Sequence, residues 1–135
     1  MHTTNYFNTL IEIAEDCPTA EGEVPPTKNK KSVANYQYEM LLENPYTYTS
    51  DEVLFTIHAI RKEFPNGDWD KQREIYFSKG QPCFRASPLP KRYGWGVHAN
   101  ADGKIALINA NSTEYQALLA DESVAKKKAM RSKRA

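Results

Sequence analysis

The chain reads as an α+β domain, an antiparallel sheet with about four helices packed mainly on one face, and three stretches carry that expectation. Gly94-Trp95-Gly96-Val97-His98 and Lys104-Ile105-Ala106-Leu107-Ile108 flank Asn100-Ala101-Asp102-Gly103, two apolar runs joined by the Asp-Gly signal of a hairpin. Thr49 followed three residues later by Glu52 is a capping box, with Tyr48 and Val53 placed for the hydrophobic staple. Tyr6 to Ala14 is rich in aromatic and β-branched residues and reads as a strand. Strands and helices that do not alternate regularly suggest segregated helices over an antiparallel sheet.

The elements follow in chain order. After the first strand, Cys17 to Lys31 loses all periodicity and carries Pro18, Gly22, Pro25 and Pro26, so it reads as a long loop, a lid or a tether. Ser32 to Asn44 places Val33, Tyr36, Met40 and Leu41 at helical spacing and ends at Pro45. From Thr49, the residues Val53, Leu54, Ile57, Ile60 and Phe64, with the aliphatic stem of Arg61, form a second helical stripe, stopped by Pro65-Asn66-Gly67. Asp68 is placed to cap a shorter helix over Trp69 to Phe77, with Gly80 as its stop. Gln81 to Pro90 holds Pro82, Pro88 and Pro90, which reads as irregular and exposed. Beyond the hairpin, Asn111 or Ser112 caps a last helix over Thr113 to Leu119. Val124 to Met130 is either a final strand or disordered.

A length of 135 residues fits one domain, placed at residues 1–124, with residues 125–135 as a basic carboxy-terminal tail. Hydrophobic residues at 40% suffice for a core, and no uncharged apolar run approaches the roughly 18 residues of a spanning helix, which excludes a helical membrane protein. The start of the chain lacks the basic and apolar regions of a signal peptide, so a cytoplasmic location is expected, with Cys17 and Cys83 as reduced thiols. In that setting the Asn111-Ser112-Thr113 sequon carries no meaning.

Charge placement says more than the net value of +1. Every acidic residue falls at or before Glu122, whereas Lys126, Lys127, Lys128, Arg131, Lys133 and Arg134 crowd the end. Such a tail either meets phosphates, docks an acidic partner, lies solvated, or folds back on the acidic body. From Ile75 to Ala101 there is no Asp or Glu, while Lys79, Arg85, Lys91 and Arg92 alternate with Tyr76, Phe77, Phe84, Tyr93, Trp95 and His98. Guanidinium forks and aromatic planes are the chemistry of phosphate and nucleotide recognition.

The expected site is therefore Arg85, Ser87, Lys91, Arg92, Tyr93, Trp95 and His98. Arg85, Lys91 and Arg92 hold an anionic small molecule or a nucleic-acid segment, Ser87 orients it, and Tyr93 or Trp95 offers a stacking face. The competing expectation is that the prolines shape a turn, Trp95 is core and the arginines pair with body carboxylates. Both phosphate-binding glycine spacings, Gly-x-x-x-x-Gly-Lys and Gly-x-Gly-x-x-Gly, are absent. A small enzyme would use Cys83, with His98 as base, or Ser87 as its reacting group. A protein-interaction domain would dock through the tail. His2, His58 and His98 with two distant cysteines have no metal-ligand spacing, and no cofactor is implied.

Cys17-Pro18, Glu21-Gly22, Pro25-Pro26, Glu43-Asn44-Pro45-Tyr46-x-Tyr48-Thr49, the run Gln81 to Gly96 containing Arg85-Ala86-Ser87-Pro88-Leu89-Pro90-Lys91-Arg92-Tyr93-Gly94-Trp95-Gly96, and Ala129-Met130-Arg131-Ser132-Lys133-Arg134 carry a resemblance. They resemble a family of short bacterial proteins grouped as a domain of unknown function, over nearly the whole chain. The resemblance implies a stand-alone intracellular domain and brings no activity, cofactor or catalytic residue with it.

Overall fold

A computed structural model describes residues 1–133, so Arg134 of the basic tail lies outside the described residues. Four strands, β1 (Thr9–Glu12), β2 (Trp95–Ala99), β3 (Ile105–Asn109) and β4 (Ala125–Lys128), form one sheet in the order β3-β2-β1-β4. Five helices accompany it: α1 (Val33–Glu43), α2 (Ser50–Arg61), α3 (Trp69–Tyr76), α4 (Pro88–Arg92) and α5 (Thr113–Ala120). The fold is α+β, as the sequence predicts, but the sheet is mixed. β1 pairs antiparallel with β2, and β2 with β3, whereas β4 runs parallel to β1.

Alternation along each strand divides the sheet into two buried faces. Ile11, Val97, Ala99 and Ile105 meet Leu41 of α1, Val53 and Ile57 of α2, and Phe84. Leu10 and Ile108 on the other face meet Tyr115 of α5 and Val124. α3 packs outside α2, where Phe55 and Ala59 enclose Phe77 with Trp69 and Tyr76 alongside. The helices thus lie mainly on one face, with α5 alone covering the reverse.

Local signals set several boundaries. Thr49 accepts the Glu52 backbone N–H while the Glu52 carboxylate accepts that of Thr49, completing the capping box, and Ser32 with Asn35 does the same for α1. The hairpin turns through Ala101–Gly103, with Gly103 at φ +79° and the Asn100 N–H donating to the Lys104 carbonyl at 2.9 Å. α2 ends earlier than the proline signal suggests, because Glu63 at φ +57° lets the Phe64 N–H reach the Ala59 carbonyl and closes the helix. Asp68 does not cap α3 with its side chain; a 3-10 turn over Asn66–Asp68 runs directly into the helix. α3 stops at Tyr76, where Phe77 takes the capping role expected of Gly80.

The stretch Gln81 to Pro90 is a larger correction. It is neither irregular nor exposed: a 3-10 turn over Phe84–Ala86 leads into α4, and Phe84, Leu89 and Pro90 are buried. Prolines fit here because the first turn of a helix donates no intrahelical hydrogen bond, so Pro88 and Pro90 lose nothing by lacking an N–H. Of the two expectations for Val124 to Met130, the strand is what forms, as Ala125–Lys128 in the sheet.

Two anchors tie the ends and the long loop to this frame. Asp51, 8% exposed at the start of α2, accepts the Thr3 hydroxyl at 2.6 Å and both the backbone N–H and hydroxyl of Thr4 at 2.7 Å. The loop from Cys17 to Lys31 is tied to the fold as a tether: the Gly22 N–H donates to Asn109 Oδ1 at 2.9 Å, the Glu23 N–H to the Tyr93 carbonyl at 2.8 Å, and Pro25 is buried.

Candidate functional site

The acid-free segment and the basic tail are joined at Arg85, which reaches Lys128 across 43 positions of the sequence. Its Nε donates to the Lys128 carbonyl at 2.7 Å, and its own carbonyl accepts the Met130 N–H at 2.8 Å. The chain after β1 runs beside both, because the Ala129 N–H donates to the Glu12 carbonyl and the Ala14 N–H to the Pro90 carbonyl, each at 2.9 Å. Lys91 and Arg92 follow Pro90, whose carbonyl binds Ala14, two residues beyond the Glu12 that binds Ala129. Arg85 and the adjoining tail cations Lys127, Arg131 and Lys133 form a basic strip, and Lys91 and Arg92 lie in the helix α4 that follows Arg85 in the chain.

Carboxylates near this strip are already engaged. Glu15 faces Lys128 at 3.7 Å. Asp16 accepts the Ser132 and Lys133 backbone N–H groups, both at 2.9 Å, and those donors hold its carboxyl below the ordinary range, with Arg131 adding to the effect. The end of the tail thus folds back on the acidic body through Asp16, one of the sequence expectations. Among the described residues, no carboxylate lies within 4 Å of the cationic groups of Arg85, Lys91, Arg92, Lys127, Arg131 or Lys133. The ion pairing that would have neutralised the arginines is therefore absent among these residues.

The other expected residues are dispersed. Ser87 caps α4, accepting the Leu89 N–H at 3.2 Å and donating to Gln37 Oε1 at 2.6 Å, so its hydroxyl is held in the interior. Trp95 is roofed by the tether: its Nε1 donates to the Glu23 carbonyl at 2.8 Å and its ring lies where a Gly22 side chain would go. Tyr93 is half-buried and contributes its carbonyl to the same tether. His98 lies three residues beyond Trp95 and points to the opposite face of the sheet, where its Nδ1 meets the Tyr46 hydroxyl at 2.8 Å.

That alternation also separates His98 from Cys83, which precedes Phe84 on the α1–α2 side of the sheet. The Cys83 Sγ instead meets the Tyr6 hydroxyl at 3.4 Å. Burial, then the Cys83 contact, pushes the Tyr6 phenol upward, while the neighbouring Arg85 pulls the other way. Cys17 donates to the Thr19 carbonyl at 3.2 Å. Among the described residues no three His, Cys, Asp or Glu side chains converge as a metal site would require, and no helix is long and apolar enough to cross a membrane. Tyr6 and Gln37, absent from the expected site, touch its residues only through the tertiary fold.

Burial lowers the His98 pKa below its ordinary 6.5, against a smaller upward pull from Asp121, and burial with Lys62 and Arg61 lowers His58 likewise. A lowered folded-state value means that the unfolded chain takes up protons first. Their contribution is thus full above pH 6.5 and is lost as pH falls through the depressed values. The melting temperature is expected to drop on acidification from about pH 7.5 to pH 5. Calorimetry of wild type against His98→Asn with His58→Gln checks this; an equally steep fall in the double variant would refute the assignment.

The architecture defines a small α+β domain with a mixed four-stranded sheet. The chain belongs to a family of unknown function (DUF6157), whose model matches residues 1–135. No curated protein and no solved structure matches it.

Proposed function

We propose that the chain is a cytoplasmic binding module for a phosphate-bearing anion, a nucleotide, phosphorylated metabolite or nucleic-acid segment, held along the strip formed by Arg85, Lys91, Arg92, Lys127, Arg131 and Lys133. The observation that supports this reading most is the junction at Arg85, which unites two basic segments that the sequence keeps apart. Cations without carboxylate partners release counterions when they meet a polyanion, which adds affinity independent of sequence. Arginine supplies forked donors that match phosphate oxygens. Ser87 and Trp95, engaged elsewhere, take no part in this reading, and His98 faces away.

A thermal-shift series against nucleotides, pyrophosphate and short oligonucleotides tests it. A ligand at a hundred times its Kd stabilises by about 2.7 kcal/mol, several degrees in Tm for a domain of this size. The expected result is a shift at low salt that shrinks steadily as salt rises. No shift with any phosphate-bearing probe at low salt would overturn the reading.

A further inference from the structure

We infer that the acidic turn Glu15-Asp16 is a built-in competitor for the anion strip: the Asp16 carboxylate occupies an oxyanion seat made by the Ser132 and Lys133 backbone N–H groups, and a phosphate group of the ligand displaces it there. This rests on the anion-binding reading and adds to it a seat, the ligand group that fills it and a restraint on binding.

The seat is defined by its donors. In an extended chain the N–H groups of neighbouring residues point to opposite sides. Those of Ser132 and Lys133 instead meet at one carboxylate. The Ser132 N–H is shared between Asp16 Oδ1 at 3.2 Å and Oδ2 at 2.9 Å, and the Lys133 N–H goes to Oδ2 at 2.9 Å. Successive amide donors turned toward one point form a concavity that takes an anion from any source. This one already holds an oxyanion, supplied by the chain itself.

Asp16 fills the seat incompletely, and the shortfall identifies the better occupant. Arg131 and Lys133 flank the two amide donors, yet among the described residues no carboxylate lies within 4 Å of either cationic group. A carboxylate has both oxygens on the amides and leaves those charges unmet. A phosphate monoester or the end of a polyphosphate carries a third oxygen and more negative charge, so it can take the same donors and also reach an adjoining guanidinium or ammonium.

The competitor is placed to let go. Glu15 and Asp16 are the central residues of a turn closed by the Cys17 N–H on the Ala14 carbonyl at 3.0 Å, and buried Ala14 fixes that turn through its N–H on the Pro90 carbonyl at 2.9 Å. The backbone therefore stays in place while the partly exposed Asp16 side chain swings clear by changing rotamer. Glu15, 3.7 Å from Lys128, adds a second negative charge beside the strip.

The test is titration of the full chain with inorganic pyrophosphate at low salt, followed by calorimetry and amide-resolved NMR, for wild type, Asp16→Asn and Glu74→Gln. Glu74 lies exposed on α3 and makes no ion pair among the described residues, so its substitution removes the same charge away from the seat. Asp16→Asn is expected to bind pyrophosphate about 10-fold more tightly than wild type, the gain when a seat open about a tenth of the time is freed. Glu74→Gln changes the affinity by less than about twofold. In wild type, Ser132 and Lys133 are the backbone amides that shift most. If Asp16→Asn binds no tighter than Glu74→Gln, or if the Ser132 and Lys133 amides stay still while pyrophosphate binds, Asp16 is only an anchor for the tail; the inference then falls and the strip stands. Pyrophosphate binding to none of the three proteins overturns the anion-binding reading itself, and the inference with it.

Discussion

Gly94→Ala is expected to destabilise the fold by about 3 kcal/mol or more, the largest effect of any single substitution argued from this structure. Gly94 has φ +75°, a left-handed conformation that costs a residue with a Cβ about 1–2 kcal/mol. The added methyl would also fall 2.6 Å from the Glu21 carbonyl carbon, and closer still to its oxygen. Those are backbone atoms of the tether, which cannot rotate aside as a side chain would. Lifting the tether breaks the Glu23 N–H bond to Tyr93 and the Trp95 Nε1 bond to Glu23, each worth about 1 kcal/mol net. Urea unfolding measures the loss, and Trp95 fluorescence reports the release of the tether. Gly67→Ala is the matched control: no atom lies within 4 Å of its added methyl and its φ is not positive, so the midpoint holds or rises slightly. A Gly94→Ala protein as stable as that control would show that the tether is not seated as described.

What the sequence revealed about the fold follows from the range of the interactions involved. The capping boxes at Ser32 and Thr49 and the turn at Asp102-Gly103 are made by residues a few positions apart, and those boundaries were legible. α4 was not, since Pro88 and Pro90 look like breakers until a buried Ser87, fixed by Gln37 fifty residues away, places them in the first turn of a helix. β4 was legible only as one of two alternatives. Ala-Lys-Lys-Lys has no apolar alternation, and only its flanks Val124 and Ala129 are buried; pairing with the central strand β1 makes it a strand. Its lysines suit an edge, where charge discourages pairing with another chain.

The same distinction governs the candidate site. The acid-free run was visible as composition, but composition carries no direction. Alternation along β2 sends Trp95 toward the helices and His98 to the reverse face, so a cluster that looked continuous in sequence divides between two surfaces. The convergence of Arg85 with the tail depends on one side-chain and one backbone bond from Arg85 to residues more than forty positions away, which no local pattern encodes. Gln37 escaped for a related reason: within α1 it reads as an ordinary polar helix residue, and only tertiary packing buries it against Ser87.

Reversing two charges of the strip, Arg92→Glu together with Lys127→Glu, is expected to weaken binding of a short oligonucleotide or polyphosphate about 100-fold at low salt, and to lower the slope of log K against log salt by about two. Both side chains are exposed and make no ion pair among the described residues, so the fold should hold, with stability changing by no more than about 0.5 kcal/mol. Arg85→Ala is a poorer probe, because its Nε supports the Lys128 carbonyl and its loss mixes structure with charge. Fluorescence anisotropy across a salt series reads the affinity and the slope in one experiment. If the double variant binds as tightly as wild type with an unchanged slope, the strip is not the contact and the unpaired cations are a solvated surface. If affinity falls while the slope is preserved, the substitutions act through shape rather than phosphate neutralisation, because removing two phosphate contacts must release fewer counterions on binding.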